Sequence, residues 1–186
     1  MICLTNYYLP GYKAGGPIKT INNMVSQLGD SLSFLIVTRD RDLGNMAPYH
    51  SIKSNEWIDV NSSKRLYLSP SRLNVVSLKE IINQSDFDVL YLNSFFDINF
   101  TIKPLLARRL GLLKACPVVL APRGEFSKGA LALKPFRKKL YIKLANWFGL
   151  YRNLTWQASP LCQPSCVCHS NVARFYRSLP GYMKSC

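Results

Sequence analysis

ICLTNYYLPGYKAGGPIKTINNMVSQLGDSLSFLIVT, residues 2–38, decides the fold class. Residues 2–5 are a short apolar run that reads as a first strand. Residues 6–16 form a loop with Gly11, Gly15 and Gly16. Pro17 suits the first position of a helix, where its missing N–H would have no partner anyway. Ile18, Ile21, Met24, Val25 and Leu28 recur at helical spacing, and Gly29 supplies the stop. Residues 32–38 are continuously apolar, as in a strand buried on both faces of a parallel sheet.

The same grammar repeats further along. Residues 39–63 show no clear period and read as a long irregular connection. Strands are expected at 65–68, 89–92, 117–121 and 154–158. Helices are expected at 77–84, 101–113 and 131–148. Alternating strands and helices at this spacing predict a doubly wound α/β domain with a single parallel sheet. There is no internal repeat.

With 48% hydrophobic and 18% charged residues, the chain has the material for a packed core, which excludes a disordered or low-complexity protein. The longest apolar stretch, 140–151, is interrupted by Lys143 and falls short of the roughly 20 residues a spanning helix needs. No cation precedes Ile2–Leu4, and Tyr7, Tyr8 and Pro10 follow too soon for a secretory leader. A cytoplasmic globular domain is therefore expected.

The net charge of +14 is unevenly spread. Cations and carboxylates balance up to Val60. After Ala121 the only carboxylate is Glu125, against a dense run of Lys and Arg. A localised basic surface of this kind favours polyanions, anionic lipid or phosphorylated ligands.

Of the six cysteines, Cys3 and Cys116 sit in strand-like runs and read as small buried hydrophobes. Cys162, Cys166, Cys168 and Cys186 crowd the last part of the chain, with His169 beside Cys168. Their spacing lacks the paired hooks of common zinc modules, and no metal site is expected. Residues 160–186 have no sustained period. They read either as a capping tail or as a segment in a reading frame foreign to the domain, and the second reading is preferred.

Ligands of open α/β sheets bind at the carboxyl ends of the strands. Three loops fall there. Residues 10–17 carry Gly15 and Gly16 into a helix, whose free N–H groups attract anions. Pro17 stands where a Walker loop needs its Lys, so this loop is either a phosphate contact or a plain tight turn. In the second loop, Asn93 and Ser94 could hydrogen-bond a sugar, or Asp97 could simply cap a helix. In the third, Arg123 and Gly124 could grip a phosphate, the alternative being an Arg123–Glu125 surface pair. No Ser, Cys or paired-carboxylate arrangement supports a hydrolytic template.

Gly15-Gly16-Pro17, Asn93-Ser94-Phe95, APRGEFS at 121–127 and LTWQAS at 154–159 follow in order. Together they resemble the amino-terminal domain of group 1 (family 4) glycosyltransferases of bacterial polysaccharide biosynthesis. The resemblance covers residues 1–159 and is carried most specifically by PRGEFSKGAL. It implies a Rossmann-like domain, the acceptor-side half of a two-domain GT-B fold. It also implies sugar transfer with retention from a nucleotide-sugar donor to a saccharide or lipid-linked acceptor, without an obligatory metal. By position, Gly15, Gly16, Asn93, Ser94, Arg123, Gly124 and Glu125 become substrate-binding candidates. Asn93 and Arg123 fall where many relatives have histidine, so acceptor binding is expected of them and not a histidine role. The donor-binding domain, with its paired glutamates, is not recognisable after Ser159. The expectation is therefore a truncated or frameshifted enzyme, inactive as it stands.

A reading of a different class is a non-catalytic basic module. Lys134, Arg137, Lys138, Lys139 and Lys143 lie on one expected helix, and an anionic membrane surface is their natural partner. That helix is expected to pack Leu133, Phe136, Leu140, Tyr141, Leu144, Trp147 and Phe148 against the sheet. Nucleic acid is not expected, since no RNP-like, KH or zinc-finger pattern accompanies the cations. Both readings place the protein in the cytoplasm, at the inner face of the membrane if the basic helix binds there.

Overall fold

Ile2–Leu4 (β1) forms the central strand of the computed structural model, which describes residues 1–126 and 135–157. On one side of β1 runs Phe34–Arg39 (β2), and on the other Leu90–Leu92 (β5), both parallel to it. Ser63–Leu68 (β4) extends the sheet beyond β2, and Trp57–Val60 (β3) closes that edge antiparallel to β4. Val118–Leu120 (β6) and Thr155–Trp156 (β7) extend it beyond β5. The seven strands thus run in the order β3-β4-β2-β1-β5-β6-β7. Without β3 this is the Rossmann-like order, reversing direction between β1 and β5. The protein is an α/β domain built on one mostly parallel sheet.

Both faces of the sheet are covered. Along β1, Ile2 and Leu4 join one apolar cluster while Cys3 joins another, the period of two expected across a strand. Ile18, Ile21 and Val25 of Gly16–Leu28 (α1) pack on the Cys3 face with Phe34, Ile36 and Tyr91. The opposite face receives Leu78, Ile81 and Ile82 of Val75–Gln84 (α2), and Leu105 of Lys103–Arg109 (α3). It also receives Ala145 of Pro135–Trp147 (α4).

Several expectations shift. The strand β3 lies within the stretch expected to be irregular. Helix α2 starts earlier than its apolar period suggests, because the Asn74 side chain accepts from Ser77 N at 2.9 Å and caps it. The helix expected at 101–113 is broken in two: a π-type turn, Ile98–Ile102, leads into the shorter α3.

Most of the apolar face expected to pack on the sheet turns outward instead, Tyr141 excepted. Phe136, Leu140, Leu144, Trp147 and Phe148 are exposed, and the small side chain of Ala145 meets the core with Tyr141 and Ile142 packed beside it. A helix that approaches through a small residue sits close to its support, so its bulky residues are turned outward. Residues 127–134 and 158–186 lie outside the described residues. With them lie Lys134, Leu133, the carboxy-terminal cysteines, His169 and the 159/160 boundary.

Candidate functional site at the carboxyl edge of the sheet

Parallel pairing brings the carboxyl ends of β1, β5 and β6 to one edge. At the switch point between β1 and β5, buried Asn93 donates from Nδ2 to Thr5 Oγ1 at 3.2 Å. Arg123, three residues beyond the end of β6, completes the cluster. Its Nε donates to Asn93 Oδ1 and its Nη2 to the Tyr91 hydroxyl, both at 2.6 Å. Tyr91 in turn donates to Gln157 Oε1, beyond β7. A chain of polar side chains therefore crosses four strand ends, with a guanidinium in its middle.

The electrostatics of that guanidinium are unusual. Both acceptors are neutral, and among the described residues Arg123 forms no ion pair. Burial pushes the Tyr91 phenol up to about 12, against the pull of Arg123, so it stays protonated and able to donate. Burial likewise raises the Cys3 thiol to about 12, leaving it an inert neighbour. Arg123 also holds φ +54°, a left-handed conformation that costs a bulky residue about 1–3 kcal/mol and persists only where surrounding contacts enforce it. Here the two hydrogen bonds do so. Strain and an unneutralised cation thus coincide at one residue.

The Arg123–Glu125 pair, the alternative reading of this loop, does not form. Glu125 turns the other way, accepting from Ser94 Oγ at 2.7 Å and from the backbone N–H of Phe95. Burial pushes its carboxyl up, although these donors oppose the rise. It clips the β6 loop to the β5 loop. Asp97 accepts from Phe100 N at 2.6 Å and caps the π-type turn, and burial raises its carboxyl too. Ser94 Oγ additionally receives the Asp97 N–H at 3.1 Å. Ser94 and Glu125 are therefore committed to holding the loops, while Asn93 and Arg123 form the polar floor between them. Gly124 is exposed beside them.

In the loop after β1, the three glycines have different duties. A Cβ on Gly11 would lie 2.3 Å from the Tyr49 hydroxyl, so that position is filled by the fold itself. Gly15, at φ +62°, and Gly16 face open space at the start of α1, with no side-chain cap on the first turn. Their backbone is the part of this loop that a ligand could approach. The loop is held by Asp42, whose Oδ2 accepts from Tyr12 N at 2.9 Å and Lys13 N at 3.2 Å. Burial works against that charge, but the backbone donors of Tyr12, Leu43 and Lys13 outweigh it and keep the carboxyl below its ordinary range.

Sequence reasoning missed Arg39. It ends β2, lies 5.9 Å from the centre of the Tyr7 ring, and its positive charge pulls on Asp97. Among the described residues its Nε is buried without a hydrogen-bond partner, as are Oγ1 of the adjacent Thr38 and Oδ1 of Asn6, two residues beyond β1. The only available signal was its place, the last residue of a buried strand.

Other features carry less. A surface depression lined by Pro10, Met46, Pro48, Tyr49 and His50 lies on the connection after β2 and includes none of the groups around Arg123. Among the described residues, no three His, Cys, Asp or Glu side chains are grouped so as to hold a metal ion. Comparison with protein-family models, curated proteins and solved structures finds no match for this chain.

Proposed function

We propose that residues 1–159 form the acceptor-side domain of a retaining, nucleotide-sugar-dependent glycosyltransferase of the GT-B architecture. Its substrate is a saccharide bearing, or linked through, an anionic group such as a lipid diphosphate. The observation that carries the reading is Arg123: a guanidinium held at the switch point by two neutral acceptors and, among the described residues, forming no ion pair. A preorganised cation of this kind gains an anion without first breaking an internal salt bridge.

Supporting it, the glycine loop, the Asn93 loop and the Arg123 loop follow parallel strands and so share an edge. These are the segments on which the family resemblance rests. In this reading Arg123 and Asn93 orient the acceptor, and Gly15 and Gly16 let the donor phosphates approach the start of α1. Ser94 and Glu125 fix the loops. The nucleotide sugar belongs to the partner domain of such enzymes.

The test is a titration of the isotopically labelled chain with a short-chain polyprenyl-diphosphate saccharide, followed by backbone and side-chain NMR shifts. Saturable shifts at Asn93, Tyr91 and the Arg123 guanidinium are expected, and their loss in Arg123→Ala. Absence of saturable shifts at these groups overturns the proposal.

A further inference from the structure

On helix α4 the spacing of Phe136, Leu140, Leu144, Trp147 and Phe148 places them along one side of thirteen residues, about 20 Å of helix. That side is outward. Phe136 and Trp147 are each 78% exposed and Phe148 56%, while Ala145 on the opposite side is 4% exposed. Trp147 and Phe148 pack on each other with ring centroids 4.9 Å apart, so the ridge presents a joined aromatic end. Single exposed apolar residues are ordinary, but a continuous aromatic and aliphatic ridge marks an interaction surface.

Charge decides what meets it. The helix carries Arg137, Lys138, Lys139 and Lys143, and no Asp or Glu occurs anywhere after Glu125. Lys143 is exposed. At the neighbouring helix end, Arg109 donates to the Phe148 carbonyl at 3.1 Å and Arg108 to that of Arg152 at 3.0 Å, so further guanidinium charge surrounds the aromatic end. A protein partner would have to supply an acidic rim around an apolar groove. An anionic bilayer supplies both at once, lipid phosphates around an acyl interior. Among the described residues no helix is long and apolar enough to cross a membrane, so the fitting geometry is a helix lying in the interface.

We infer that α4 is a monolayer-inserting face, on which Phe136, Trp147 and Phe148 enter the acyl boundary of an anionic membrane while the cations hold its phosphates. This does not rest on the glycosyltransferase reading, and its test has no sugar in it.

The full chain is sedimented with vesicles of phosphatidylcholine alone and of phosphatidylcholine with phosphatidylglycerol. Binding to the anionic vesicles only is expected, weakening as salt rises. Lys143→Ala should weaken it roughly fivefold, the worth of one basic residue at such a surface. Phe136→Ser with Trp147→Ser should weaken it about tenfold or more. Brominated acyl chains should quench the tryptophan fluorescence of the wild type. They should no longer do so in Trp147→Phe, which keeps a large apolar residue and stays bound. Because these side chains are exposed, circular dichroism should show an unchanged fold in each variant. Binding indifferent to lipid charge, quenching that survives Trp147→Phe, or ridge variants that bind as wild type would each overturn the inference. So would a stable dimer in solution that the ridge variants dissociate.

Discussion

Arg123 Nε donates to Asn93 Oδ1 at 2.6 Å, tying the loop after β6 to the loop after β5 with a charged donor and a neutral acceptor. The bond is short and half-buried, and among the described residues no ion pair balances its charge. It therefore separates two properties that usually travel together, local order and charge neutrality.

Arg123→Ala should leave the fold intact. It removes two charge-assisted hydrogen bonds, about 1.5–3 kcal/mol in favourable cases, but also a half-buried charge that forms no ion pair among the described residues. A net loss below about 2 kcal/mol in urea unfolding is expected, together with loss of anionic-saccharide binding. Arg123→Lys should restore charge without the two-pronged grip and recover little affinity. A variant that unfolds while its acceptor affinity is untouched would make the residue structural.

Glu125 predicts a pH dependence of stability. Its carboxyl lies above the ordinary 4.5 because burial disfavours the charged form, and Asp97 is shifted the same way from 3.8. Within the window above those ordinary values, the native state keeps a proton that the unfolded chain has released. Stability therefore falls as pH rises through that window. Glu125→Gln should flatten this slope, since an amide can accept from Phe95 N and donate to Ser94 Oγ. Asp42 has the opposite sign: held low, it stabilises above its ordinary 3.8 and that contribution is lost as pH falls below it. Urea midpoints measured across the acid range in wild type, Glu125→Gln and Asp42→Asn distinguish the two.

The glycines of the first loop should respond differently to a single methyl. Gly11→Ala drives Cβ into the Tyr49 hydroxyl and close to the Tyr8 carbonyl at 3.0 Å, and should cost about 1–3 kcal/mol. Gly16→Ala meets open space at the helix start and should leave stability within about 0.5 kcal/mol. If the donor phosphates approach there, Gly16→Ala lowers nucleotide-sugar affinity in the two-domain enzyme while its melting temperature is unchanged.

Phe95→Ala should be the most damaging single change near the site. Phe95 is fully buried and stacks on Tyr151 at 4.4 Å and 13°, with Phe96, Phe126, Tyr141 and Trp156 around it. A loss of about 3–5 kcal/mol is expected. Near-ultraviolet circular dichroism should report it as loss of the aromatic signal. A cost below about 1 kcal/mol would mean that the ring cluster packs without it.

What the sequence discloses here depends on how local the cause is. The parallel strands were legible because burial on both faces writes an unbroken apolar run, as in residues 34–37. The edge strand β3 was not: its residues alternate between exposed and half-buried, and its place is fixed by pairing Trp57 with Leu66. Asn93 and Arg123 could be nominated from their positions after strands. Their mutual bond, and the turning of Glu125 to Ser94, could not, since each joins residues about thirty apart. Asp42 escaped notice for the same reason, holding a loop that precedes it by as many residues. For α4 the helical wheel grouped Phe136, Leu140, Leu144, Trp147 and Phe148 on one side, but it put Tyr141 with them and left out Ile142, and both of these pack against the core. Which side met the sheet was settled by Ala145, because close approach rewards a small side chain.

The place of β1 in the sheet has a consequence for how the protein is made. Ile2 pairs on one side with Leu35 and on the other with Leu90, so the earliest in chain order of these seven strands sits at the middle of their sheet. At roughly 5–20 residues per second, about 4–18 seconds separate the translation of Ile2 from that of Leu90. Until Leu90 is made, β1 can join only β2, β4 and β3 as they appear, a half-sheet whose inner edge is an open row of backbone donors and acceptors. The nascent chain is thus most vulnerable to joining a neighbour on the same polysome at the strand that is ultimately the best protected.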